Sequence, residues 1–253
     1  MERKCNMSRL KIKNLKLLPD IASLGNLPEG KLLINTINAH SYNVARRDAA
    51  FAEALRCGDV LIPDGMSIVL ASRWMGNPHP PRERVAGWDL FTYEMRRLAS
   101  TAGTRRPKVM FLGSSPAILD LVKKKMAEAY PELEAVVYSP PFKPVFSDDD
   151  NRAMIDAVNN CNPDLLWIGM TAPKQEKWAY AHWDQLHVSC HVGTIGAVFD
   201  FFAGTVRRAP LSWQRAGLEW LYRLLKEPRR MWRRYIVGNM VFSGHVLREK
   251  IFG

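Results

Sequence analysis

Several short apolar runs in this chain end on residues that can do chemistry. Asp64 follows DVLIP, within Pro63-Asp64-Gly65, and is a carboxylate able to take a proton. Thr36 and Asn38 close KLLINTIN with short polar groups that can orient hydroxyls. Gly113 follows KVMFL, Gln175 lies in GMTAPKQE after LLWI, and Gly193 follows SCHV. Glycine, hydroxyl and amide residues recurring after such runs suit a nucleotide, whose phosphates approach backbone N–H groups and helix N-termini. Arg84 can hold a diphosphate or an acidic sugar, and Asp200 is the lone acid in AVFDFFAG, where a buried acid needs a partner. Each residue also has a plainer role. Pro-Asp-Gly makes turns, Thr36 and Asn38 can cap a helix, and Arg84 with Arg82 can line a solvated loop. Gln175 can sit in a helix's first turn, and Asp200 can cap one.

These positions share an edge only if the elements before them are parallel strands. The β-branched, apolar runs Lys31–Ile37, Asp59–Pro63, Lys108–Leu112, Ala135–Tyr138, Leu165–Ile168 and Ser189–Val192 read as strands. Helical spacing fills Ser41–Cys57, Met66–Met75, Gly87–Ala99, Pro116–Tyr130, Asn151–Cys161 and Gln175–His182. Strands alternating with helices of this length predict an α/β fold, a mostly parallel Rossmann-like sheet covered by helices on both faces. Ligands of open parallel sheets bind beyond the strands' carboxyl ends, where the residues above fall.

Charge is distributed unevenly. From Thr205 to Gly253 there are eleven Lys/Arg against three acids, so this stretch carries +8 of the chain's +11. The expected division is an α/β catalytic domain over 1–204 and a basic helical appendage over 205–253. In helical projection Trp220, Leu221, Leu224, Leu225, Met231, Trp232, Tyr235 and Ile236 share one arc. Arg223, Lys226, Arg229, Arg230, Arg233 and Arg234 occupy the other. Pro228 predicts a kink or a division into two helices. Such a segment either packs its apolar side on the domain or meets an anionic bilayer, where each Lys or Arg is worth about 1 kcal/mol.

Other classes are disfavoured. No run approaches the length of a spanning helix, and the opening MERKCNMSRLKIKNLKLLP lacks the apolar core of a signal peptide. The four cysteines (Cys5, Cys57, Cys161 and Cys190) have no CxxC spacing, which argues against zinc or a disulfide framework. Asp148-Asp149-Asp150 resembles a DxD metal pair, yet its place before a helical run fits capping, and no metal or cofactor is expected. His191 and Cys190 point to opposite faces of a strand, so a core histidine and a buried thiol are expected there. A basic nucleic-acid-binding protein or a non-catalytic membrane adaptor would account for the tail. The first lacks any RNP, zinc-finger or helix-turn-helix pattern, and the second leaves Asp64 and Thr36 without a purpose. The sequence carries no signal for an oligomeric state.

TIN at 36–38, PDG at 63–65, ERVAGWDL at 83–90, FLG at 111–113, GMTAPKQE at 169–176, GTIGAVFDFFAG at 193–204 and RRAPLSWQRAGLEWLYRLLKEPRR at 207–230 occur in one order. Together they resemble the WecG/TagA/CpsF family of bacterial glycosyltransferases, glycosyltransferase family 26. The resemblance implies a metal-independent, inverting transfer from a UDP-sugar donor to a polyprenyl-diphosphate-linked acceptor, in exopolysaccharide or other cell-surface polysaccharide synthesis. It also implies a peripheral enzyme on the cytoplasmic face of the inner membrane. Asp64 matches the family's PDG aspartate, the base in such a transfer, with Thr36 and Asn38 beside it. Gln175 corresponds to a substrate-pocket position. By the LYRL-x-x-EP-x-R pattern, Arg223, Arg230 and Arg233 are the tail arginines that the resemblance implies close over the site and the leaving UDP. Asn38-Ala39-His40 departs from Asn-Pro-Glu and Asn-Ala-Glu in relatives, and UDP-glucose is the donor expected, ahead of UDP-N-acetylmannosamine and its uronic acid.

Overall fold

The computed structural model describes residues 10–215 and 217–252; the side chains of Leu211, Arg215 and Arg230 lie outside that description, as do residues 1–9 of the opening basic segment, including Cys5. In chain order the elements are β1 (Leu32–Ile37), α1 (Ala39–Ala45), α2 (Ala49–Cys57), β2 (Val60–Pro63), α3 (Met66–Trp74), α4 (Gly87–Ser100), β3 (Lys108–Gly113), α5 (Pro116–Ala129) and β4 (Glu134–Tyr138). Then come α6 (Asp148–Cys161), β5 (Leu165–Gly169), α7 (Lys174–Ala181), β6 (His191–Thr194), α8 (Val198–Ala203), α9 (Leu211–Arg215), α10 (Glu219–Lys226), α11 (Pro228–Trp232) and α12 (Gly238–Phe252).

The six strands form one parallel sheet in the order β2-β1-β6-β5-β3-β4. Alternation along each strand divides the core. Ile34, Phe111 and Trp167 face one layer with Leu90, Phe91 and Phe199, while Leu33, Met110, Leu166 and Val192 face Met154 and Trp178 on the other. After β3 the chain moves outward to β4, and after β5 it moves inward to β6. Their loops therefore part at a switch point, the place where such sheets open a crevice.

Three local expectations are corrected. The helical pattern over Ser41–Cys57 is broken after Ala45, because Asp48 Oδ1 accepts from Phe51 N (3.0 Å) and starts α2 afresh. The helix expected from Asn151 begins at Asp148, with Ser147 as its cap. Ser147 Oγ accepts from Asp150 N, and Asp150 Oδ2 accepts from Ser147 N (2.8 Å) and pairs with Lys143 (2.6 Å). The aspartate triplet is thus the first turn of α6. The last strand is β6, shifted toward Thr194, which puts Gly193 inside the sheet and not after it. A Cβ there would stand 2.3 Å from the Trp167 ring, so packing against that ring requires the glycine.

Pro228 divides the tail as expected, ending α10 before it and opening α11. Five π-helical residues, Arg233–Val237, carry the chain into α12. That helix docks on α1: Asn43 Nδ2 donates to Gly238 O (2.7 Å), and Tyr42 Oη donates to Glu249 Oε2 (2.7 Å). Among the described residues no helix is long and apolar enough to cross a membrane.

Candidate active site

The ends of β1 and β2, the first turn of α4 and the start of α10 converge around Asp64. The register pairs Thr36 with Ile62 and Ile37 with Pro63, so Asn38 and Asp64 leave the sheet side by side. A Cβ on Gly65 would lie 3.4 Å from Asn38 Cβ. Asn38 itself caps α1, its Oδ1 accepting from Ser41 N (3.0 Å) and Ser41 Oγ (3.3 Å), so its amide nitrogen alone remains to be directed at a ligand. Thr36 faces the opposite layer: its methyl lies 3.7 Å from the Cβ position of Gly87, the first residue of α4. In that turn Asp89 Oδ2 accepts from Ala86 N (2.8 Å).

Arg84 is largely buried and pairs with Glu219 of α10, Nη1 to Oε2 at 3.0 Å. The other oxygen of Glu219 lies 3.5 Å from Arg208 Nε. The Arg208 guanidinium stands 5.2 Å from the Trp88 ring centroid and 5.9 Å from that of Phe201, and Arg223 covers Phe201 at 5.3 Å. Tail and sheet edge are therefore joined by charge and by cation–π contact. The turn at Gly217 (φ +71°) packs on Met66, directly after Asp64-Gly65.

Electrostatics single out Asp64. Burial raises its pKa to about 7, with Glu219 and Asp89 pushing the same way and Arg84 and Arg223 pulling against them. The residue as a whole is half-buried, and among the described residues its carboxylate accepts no hydrogen bond. Burial alone would lower the pKa of Arg84, but Asp64, Glu219 and Asp89 outweigh it and raise it. A carboxylate poised near neutrality and flanked by fixed cations can accept a proton from a bound hydroxyl while the cations hold an anion.

The remaining expected residues are distributed around this centre. Gly113 ends β3 with φ +124°, and a Cβ there would meet Gly169 O at 2.5 Å, so the close approach of two strand ends accounts for it. Gln175 is buried. Its Oε1 accepts from Met170 N (3.0 Å), its Nε2 donates to Glu176 Oε1 (2.9 Å), and Gly196 packs on its amide. It shapes the loop after β5. Glu176, which the sequence reading passed over, is buried with Oε2 lacking a hydrogen-bond partner among the described residues, and burial raises its pKa to about 7. Asp200 lies in α8, with its carbonyl accepting from Thr205 N (3.1 Å).

Of the tail arginines, Arg223 is close enough to Asp64 to lower its pKa, and Arg233 is exposed, its guanidinium 5.6 Å from the Trp232 ring. The Arg230 side chain lies outside the described residues. Arg234 stands near His40, whose pKa is lowered by burial and by that arginine. His191 is a core histidine, Nδ1 2.8 Å from Glu94 Oε1 and Nε2 2.9 Å from Pro28 O. The sequence reading missed Glu219, Asp89, Trp88 and Arg208. Glu219 had one signal, as the only acid in the otherwise basic and apolar α10.

Known proteins match this chain throughout. The sequence model of the Glycosyl transferase WecG/TagA/CpsF family matches residues 6–253. A protein of Bacillus spizizenii (strain ATCC 23059 / NRRL B-14472 / W23) named N-acetylglucosaminyldiphosphoundecaprenol N-acetyl-beta-D-mannosaminyltransferase is 30% identical over 192 residues, 76% of this chain and 70% of the relative. A Bacillus subtilis (strain 168) protein of the same name is 28% identical, covering 81% of this chain and 75% of its own. A third, from Staphylococcus aureus (strain MW2), is 26% identical across 89% and 84%.

Proposed function

Because the chain belongs to the WecG/TagA/CpsF family of glycosyltransferases, we propose that it transfers a sugar from a UDP-sugar to a polyprenyl-diphosphate-linked N-acetylglucosamine. The names of the relatives favour an N-acetylmannosaminyl donor, and the glucose expected from the sequence finds no support among them. The observation that carries the proposal is Asp64: a carboxylate with its pKa raised to about 7, at a strand's carboxyl end, facing Arg84 and Arg223.

In the proposed step the acceptor hydroxyl oxygen attacks the anomeric carbon, and its proton passes to Asp64. The bond from that carbon to the UDP oxygen breaks with its electron pair leaving on the diphosphate. Attack opposite the leaving group inverts the anomeric centre. Thr36 and the amide nitrogen of Asn38 orient sugar hydroxyls. Arg84, Arg208 and Arg223 supply the positive charge that stabilises departing UDP, which a metal supplies elsewhere. Glu219 spaces Arg84 and Arg208 on either side of its own carboxylate, a geometry matched to an anion with two acceptor oxygens. Gln175 and Asp200 complete the nucleotide side, and Arg230 and Arg233 extend the cationic tail.

The tail's second proposed role is attachment to an anionic bilayer on the side where lipid-linked acceptors reside. Leu225, Trp232 and Ile236 are exposed in place of packing on the domain, which supports contact with lipid. The test is turnover of a panel of UDP-sugars with a synthetic diphosphate-linked N-acetylglucosamine acceptor, with and without EDTA. Transfer from UDP-N-acetylmannosamine that survives EDTA is expected; absence of transfer from every donor overturns the proposal.

A further inference from the structure

One helix of the α/β unit carries large apolar side chains that remain exposed beside the tail. In α3 the exposed side chains are Met66, Leu70, Arg73 and Trp74, while Ile68, Val69, Ala71 and Ser72 are buried beneath them. Met66, Leu70 and Trp74 recur every four residues and so form one stripe, with Leu70 56% and Trp74 52% exposed. A helix face turned to water is ordinarily polar, and a run of large apolar side chains in its place marks a contact surface.

A second exposed apolar stripe runs along α12. Met240, Leu247 and Ile251 fall on one side of α12, opposite the buried Phe242, Val246 and Glu249. The two helices are fastened at their ends: Lys250 Nζ donates to Trp74 O (3.0 Å) and lies 5.8 Å from the Trp74 ring. The charges on these helices have one sign outward. α3 contains Arg73 and no acid, and α12 exposes Arg248 and Lys250. The one acid of α12, Glu249, points inward to the Tyr42 hydroxyl and Lys13 N. A second copy of this chain would bring like charges to the contact, whereas an anionic bilayer takes apolar stripes rimmed by cations.

We infer that α3 and α12 form one bilayer-docking face, and that α3 gives the catalytic unit a lipid contact of its own, independent of the basic residues of α10 and α11. This inference rests on the lipid-linked acceptor proposed above. Since α3 begins directly after Asp64-Gly65, its seating on the membrane sets the depth of Asp64 relative to the lipid headgroups, where an acceptor's diphosphate lies.

The test uses the full chain with vesicles of phosphatidylglycerol and phosphatidylethanolamine, and with phosphatidylcholine vesicles for comparison. Leu70→Glu/Trp74→Glu is expected to bind the anionic vesicles at least tenfold more weakly than wild type, with unchanged UDP affinity and sedimentation. Leu70→Gln/Trp74→Gln, a milder change, is expected to weaken binding in the same direction. Unchanged vesicle affinity in both folded variants overturns the inference. So does a shift of sedimentation toward a smaller species with vesicle binding intact, which would assign the face to a second copy. A water-soluble short-chain acceptor separates this inference from the transferase reading. If wild type fails to glycosylate it the transferase reading falls, while the vesicle result still judges the face.

Discussion

Two carboxylates, one at the carboxyl ends of the strands and one beside the start of β6, have opposite electrostatics. Glu94, in the middle of α4, has one oxygen 2.8 Å from His191 Nδ1 and the other accepting from Arg97 Nε and Nη2 at 2.9 and 2.7 Å. Burial alone would raise its pKa, but these donors outweigh burial and lower it. Asp64 has cations nearby but no donor on its oxygens among the described residues, and burial wins, raising its pKa to about 7. Burial is common to both; hydrogen bonding is what differs. A carboxylate whose lone pairs are filled holds the fold together, and one whose lone pairs stay open is available to a substrate hydroxyl.

The comparison breaks most visibly at Asp64. Asp64→Asn is expected to cut turnover by about 10²–10⁴-fold, the usual worth of a general base, while UDP affinity is kept. Near-normal turnover would remove Asp64 from the reaction. The same substitution should stabilise the protein in alkali. A carboxyl whose pKa is raised from 3.8 to about 7 on folding contributes stability that is complete below about 4 and lost as pH rises through about 7. Thermal melts should therefore show Asp64→Asn gaining on wild type at pH 8 and not at pH 4.

At the other carboxylate the effect falls on stability. His191→Phe leaves the buried Oε1 of Glu94 without its donor while Arg97 still holds Oε2, so it is expected to cost about 3 kcal/mol in urea unfolding at pH 6. The trend with pH has the same sign as for Asp64→Asn, because folding raises the pKa of both groups. The pKa of His191 is raised despite burial, chiefly by the hydrogen bond its Nδ1 donates to Glu94, so its contribution is complete below 6.5 and fades as pH rises through the folded value. The deficit of His191→Phe should shrink in alkali, and turnover per folded molecule should be preserved. A lost reaction with intact stability would reverse the assignment.

The subtlest change lies in the tail. Glu219 raises the pKa of Asp64 and Arg84 lowers it, so Glu219→Gln should move the acid limb of kcat/KM to lower pH and Arg84→Met should move it higher. Identical limbs in both variants would mean that α10 does not act on Asp64 in solution.

Much of this was legible in the sequence because it rests on local chemistry. The six strands follow from apolar, β-branched runs, and the strand ends carry Thr36, Asn38 and Asp64 in register because the sheet is parallel. Two shifts had different causes. Gly193 looked like a ligand-facing turn, yet it is the space that the Trp167 ring occupies from a neighbouring strand. The break between α1 and α2 had a signal in Asp48, overridden by apolar spacing that continues across it. The Arg84–Glu219 pair spans 135 positions of sequence, so only the folded tail brings it together. Opposite charges elsewhere in the chain were equally eligible partners until the tail was placed.

The central claim is that Asp64 is the group whose ionisation permits transfer. The direct measurement is the pH profile of kcat/KM for wild type and Asp64→Asn on the same donor and acceptor. The account predicts a wild-type rate that falls below an apparent pKa of about 7 and a small residual rate in Asp64→Asn without that limb. An acid limb of the same midpoint in Asp64→Asn would contradict it.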